Sequence, residues 1–202
     1  MEPSRAGTLA LVGGALALDF ANTAGGRDTE QAIEHLQEPL NVVAWAVHAG
    51  AIEGATAKRA QAAIARGGTE AQRLLREAVS LRETIYRIGS GIAERCVVEA
   101  DDLDALKRFA QKALGPATLA RGADARYRFD FAAAPVDVAL LGPVAWSAIE
   151  LLQTGDFERL KQCPGHDCGW LFYDRSKNNS RRWCEMAVCG NREKVKRHRG
   201  RD

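Results

Sequence analysis

The segment Cys163-Pro-Gly-His-Asp-Cys168-Gly-Trp-Leu-Phe-Tyr-Asp174, followed by Cys184-Glu-Met-Ala-Val-Cys189-Gly-Asn-Arg192, decides how the C-terminal end of this chain is built. Its cysteines form two pairs, each with four residues inside and fifteen between the pairs. Four thiolates presented as two close pairs are what a closed, tetrahedral structural Zn2+ site requires. Trp170-Leu-Phe-Tyr173 reads as a short strand, residues 175–180 as a polar turn, and residues 181–183 as a returning strand. The proline-free run after Cys189 is long enough for two to three helical turns. The expectation is a treble-clef-like zinc finger made of a zinc knuckle, a β-hairpin and a helix. Two disulfides would need an oxidising compartment, and redox dithiols usually have two residues between the cysteines. His166 and His198 could each replace a thiolate, but one sits between two ligands and the other in a run of cations.

Charge follows the same division. Residues 159–202 carry a formal +7 and residues 1–158 a formal −5, within a net charge of +2. A basic end of this kind meets an anionic partner. At 202 residues, 46% apolar and 27% charged, the chain can bury a conventional core and resembles neither disordered nor disulfide-dense proteins. The apolar run 8–18 could pass for a secretory segment, but Glu2 offsets Arg5 ahead of it. Residues 132–149 are also apolar, yet Asp137 and Gly142-Pro143 favour a pair of buried helices over a membrane span. The expected location is cytoplasmic, with no membrane partner.

Upstream the pattern is helical. Residues 40–49 and 56–65 read as short helices, and Thr69-Glu-Ala-Gln72 has the form of a capping box. Leu74, Ala78, Leu81, Ile85, Ile88 and Ile92 form a seam of helical period that Cys96 would extend as a core residue. This seam suits a monomer core or a helix pair in a homodimer. A helix opens near Asp101, and Tyr127, Phe129 and Phe131 then alternate with charged residues as a strand paired to 117–121. Residues 136–152 return to helix with a break at Pro143. The fold class is therefore mainly α with a small antiparallel β element, divided into 1–155 and 156–202.

The C-terminal pattern resembles the CGNR zinc-finger family, through Cys189-Gly190-Asn191-Arg192 preceded by Gly169-Trp170-Leu171-Phe172, Asp174, Ser176-Lys177-Asn178 and Ser180-Arg181-Arg182-Trp183-Cys184. Leu18-Asp19-Phe20-Ala21-Asn22-Thr23 and the helix containing Trp45 are similar to the ABATE domain that precedes this finger. The resemblance implies a bacterial, stress-induced transcriptional regulator with a DNA-binding finger and a larger domain that senses a ligand or state.

Clustered cations gain affinity for nucleic acid by counterion release. Arg175, Lys177, Arg181 and Arg182 form one such cluster, and Arg192, Lys194, Lys196, Arg197 and Arg199 a second. DNA is the expected partner. An RNA-binding or ribosome-associated zinc protein, or an enzyme of unknown substrate that uses the finger only structurally, are the rivals. Asp19, Asn22 and Thr23, with Trp45, either line a pocket for a small-molecule effector or form a buried hydrogen-bonded turn. No phosphate-binding glycine loop, serine elbow or His-Glu metalloprotease pattern occurs, so no catalytic residue is assigned and the protein is not expected to be an enzyme.

Overall fold

A computed structural model of the chain describes residues 3–27 and 29–199, with side chains through residue 196. In chain order the elements are α1 (Leu16–Ala21), β1 (Ala24–Gly25), β2 (Ile33–Glu34), α2 (Pro39–His48), α3 (Gly54–Ala65), α4 (Thr69–Ala93), α5 (Ala100–Leu114), β3 (Thr118–Arg121), β4 (Tyr127–Asp130), α6 (Val136–Thr154), β5 (Leu160–Gln162), β6 (Leu171–Tyr173) and α7 (Asn191–Arg199). The three sheets are antiparallel two-stranded pairs, β1 with β2, β3 with β4 and β5 with β6. The molecule is mainly helical with small antiparallel sheets.

Helix α4 is the spine. Leu74, Ala78, Leu81, Ile85 and Ile88 are all buried, so the seam faces the core. Its N-cap is Gly68, with no side-chain cap, so the capping box expected at Thr69 does not form. At the other end Arg95 adopts a left-handed φ of 59° just past the helix. Cys96 is therefore turned off the stripe and exposed, where helical periodicity placed it in the core. The only capping box found among the described helices is at α2, where Glu38 and Asn41 satisfy each other's backbone and Pro39 occupies the first turn.

The end of the apolar N-terminal run enters α1, whose six residues are too few for a period to show. One further expectation is corrected: helix α6 continues through Pro143, where a break was expected. A proline inside a helix costs about 3 kcal/mol. Here Val138, Leu140, Leu141, Val144 and Ala145 are all buried around it, and that burial outweighs the local penalty. This helix is long and apolar enough to cross a bilayer, but it packs against α5 and α1.

The finger shares the core of the helical body. Leu160 of β5 and Leu171 of β6 belong to the same apolar cluster as α1, α4 and α6. Gly89 of α4 makes this approach possible, because a Cβ there would lie 2.6 Å from Leu171 Cδ1.

Candidate metal centre and nucleic-acid interface

The knuckle sits at the tip of the β5–β6 hairpin. Lys161 pairs with Phe172 and Gln162 with Leu171, and beyond them Cys163 N–H donates to Trp170 O at 2.8 Å. Cys163 and Cys168 are thus brought close by strand pairing, and Gly169, at φ 67°, turns the chain back into β6. Cys184 follows a loop, and Cys189 lies in the wide turn Met186–Gly190 that leads into α7.

The four Sγ atoms all lie within 4.8 Å of one another, with Cys168–Cys184 and Cys184–Cys189 at 3.5 Å. A tetrahedron with Zn–S bonds of about 2.3 Å has edges of about 3.8 Å, so the sulfurs fit one structural zinc ion. Proton affinity within the cluster is uneven. Hydrogen bonds from Cys168 and Cys184 hold the Cys163 thiol down to about 2. The bond to Cys163 pushes Cys168 up to about 12, and the same neighbours raise Cys184. Burial, with the Cys163 charge, raises Cys189. A dication would offset this crowding of negative charge by binding all four as thiolates. His166 is exposed and turned to Asp167 at 2.7 Å, outside the cluster, while the side chain of His198 lies outside the described residues. Phe172 is buried beside the cysteines, with Trp170 and Trp183 partly buried against them.

Residues 181–183 do not form the expected return strand, since the partner of β6 is β5. Asp174 organises this segment instead. Its buried carboxylate accepts from Lys161 Nζ at 2.7 Å and from the amides of Ser176 and Arg181 at 2.8 Å each. Burial alone would raise its pKa, but these donors, led by Lys161, hold it well below the usual carboxylate range. Lys161 also donates to Asn179 O and Arg181 O, closing the loop.

The outer edge of β6 is covered by the N-terminal segment. Asn22 Nδ2 donates to Leu171 O and Asn22 Oδ1 accepts from Leu171 N, both at 2.8 Å. Tyr173 N–H donates to Gly13 O at 2.7 Å, and Gly26 N–H donates to Cys168 O at 2.9 Å. A side-chain amide thus completes the strand as a neighbouring backbone would. Asp19 supports the clasp by accepting from Gly13 N at 2.7 Å, and burial, only partly opposed by that bond, raises its pKa to about 6. Thr23 donates to Phe20 O at 2.8 Å, and Trp45 is fully buried with its ring 4.7 Å from Phe20. All four residues assigned to a candidate effector pocket are packed here, three of them in hydrogen bonds. Asn22 lies 149 residues from its partner, a pairing that no local signal reveals.

The cations of the finger fall into two groups. Arg181 is half-buried, stacks over Phe172 and donates to Val12 O, Trp183 O and Cys184 O, while Arg175 donates to Gly14 O. The structure places these two guanidiniums in the clasp. Lys177, Arg182, Arg192, Lys194 and Lys196 are exposed, and among the described residues none is in an ion pair. The side chains of Arg197 and Arg199 lie outside the described residues.

A helical body joined to a treble-clef-like hairpin with four clustered cysteines defines a zinc-finger protein. The model of the ABATE family, described as "Putative stress-induced transcription regulator", matches residues 14–155, and that of the CGNR zinc finger matches 159–202, so the chain belongs to the ABATE family. No curated protein matches it.

Proposed function

We propose that this protein is a DNA-binding transcriptional regulator of the cytoplasm, without catalytic activity of its own. On this reading the zinc finger is the nucleic-acid module and the helical body carries a stress or ligand signal. The observation that carries the reading is the set of five exposed cations on the finger, Lys177, Arg182, Arg192, Lys194 and Lys196, none in an ion pair among the described residues, with Arg182 over the Trp183 ring. The clasp at β6 supplies a route by which a change in the body reaches the finger. A signal ligand would have to bind the DNA-competent and incompetent arrangements unequally, since equal affinity shifts nothing.

Fluorescence anisotropy of the zinc-loaded full-length chain on a mixed-sequence DNA duplex, competed with single-stranded RNA, tests this. Duplex binding that RNA displaces poorly is the expected result. Preferential displacement by RNA would move the protein to RNA recognition, and absence of binding to either at low salt would remove the nucleic-acid reading altogether.

A further inference from the structure

The helical body contains a cleft of about 700 Å³ between α6, the β3–β4 hairpin and the turn joining α2 to α3. Its size is that of small-molecule sites. One wall is aromatic: Phe129 and Trp146 meet edge to face at 4.7 Å, and Tyr127 beside them is 70% exposed. Ionised groups around the cleft are mostly acidic. Glu53, Asp130 and Glu150 line it, all exposed, and none is in an ion pair among the described residues. The lining cation, Arg128, is gripped by both oxygens of Asp124 at 2.8 and 2.6 Å and lies within electrostatic reach of Glu150, so one positive charge faces three lining carboxylates. Pro143 has no N–H, which denies the Ala139 carbonyl its helical donor, and both residues line the cleft.

Aromatic faces, three carboxylates that outnumber the one lining cation and a carbonyl without its helical donor are complementary to one chemistry. We propose that this cleft binds an organic cation with a flat or aromatic body, held by ring faces and by the field of Glu53, Asp130 and Glu150. Occupancy bears on the finger through α1. Leu16 lines the cleft, Ala17 N–H donates to Ser147 Oγ at 3.1 Å in the same wall, and the helix delivers Asn22 to Leu171. That regulatory consequence rests on the DNA-binding reading, whereas cation binding does not.

Calorimetric titration of the zinc-loaded full-length protein with tetraphenylphosphonium, beside tetraphenylborate of the same shape and opposite charge, separates charge from greasiness. The expected result is 1:1 binding of the phosphonium with the borate at least tenfold weaker. The double variant Glu53→Gln/Glu150→Gln, at exposed positions where folding is preserved, should lose about tenfold or more in phosphonium affinity. Equal binding of the two ions, phosphonium binding unchanged in the variant, or no binding would each overturn the proposal. Duplex binding measured on the same samples keeps failure of the regulator reading distinct from failure of the site.

Discussion

Replacing Asn22 by leucine probes how firmly the helical body holds the zinc hairpin. The side chain is 1% exposed and makes both of its hydrogen bonds to Leu171, itself fully buried, so Asn22→Leu would strand one N–H and one carbonyl away from water. Leaving a buried polar group unpaired costs about 1–3 kcal/mol, which gives roughly 4 kcal/mol for the two groups. For a chain of this size each kcal/mol moves Tm by about 2–4 °C, so the variant should melt roughly 8–16 °C lower. Zinc should also leave faster, because Leu171 lies three residues from Cys168. Thr23→Val is the matched control, since its hydroxyl bonds only to Phe20 O within the same turn. It should cost about 1 kcal/mol. Thermal unfolding with a chromogenic zinc-release assay reads both quantities. A Tm for Asn22→Leu within about 2 °C of wild type, or no lower than that of Thr23→Val, would refute the clasp as a main support of the hairpin.

Other expectations follow from the same contacts. Each of Cys163→Ser, Cys168→Ser, Cys184→Ser and Cys189→Ser should abolish stoichiometric zinc and lower the whole chain's melting in one transition, because Leu160 and Leu171 are part of the common core; calorimetry showing an unshifted transition for the body would contradict this. Arg181→Gln should cost about 1–3 kcal/mol by leaving partly buried carbonyls unpaired, whereas Lys177→Gln should stay within about 0.5 kcal/mol by chemical denaturation. Asp19 has a native pKa raised to about 6 from an ordinary 3.8, so the folded state binds its proton more tightly than the unfolded one. Stability contributed by that proton is full below about pH 4, is lost as pH rises through 6 and is flat above. Asp19→Asn keeps an acceptor for Gly13 and should gain steadily on wild type between pH 4 and 6; parallel stability curves through that interval would show that Asp19 does not titrate there.

Much of this architecture is legible in the sequence where the signal is local and repeated. The α4 seam runs through several turns, the β3–β4 alternation is flanked by a turn, and the cysteine spacing states its chemistry directly. Signals failed where a distant partner decides the outcome. The polar side chains of Asp19 and Asn22 sit in an apolar stretch, which suits a pocket or a buried bond equally until β6 is brought against them. Residues 181–183 have the aromatic and basic character of a strand, but Asp174 captures the Arg181 amide and β5 has already taken the pairing edge of β6. Asp174-x-Ser176 is an Asx-turn pattern that could have signalled this. Pro143 was read by its local penalty, which burial of its neighbours overcomes.

The salt dependence of duplex binding tests the central claim most directly. Wild type and the zinc-replete triple variant Lys177→Gln/Arg182→Gln/Arg192→Gln would be titrated over the same range of salt. Each phosphate contact contributes about −0.9 to the slope of log K against log[salt], so removing three should flatten it by up to about 2.7 units. A slope unchanged in the variant, with zinc content and Tm also unchanged, would show that DNA does not bind on this face of the finger.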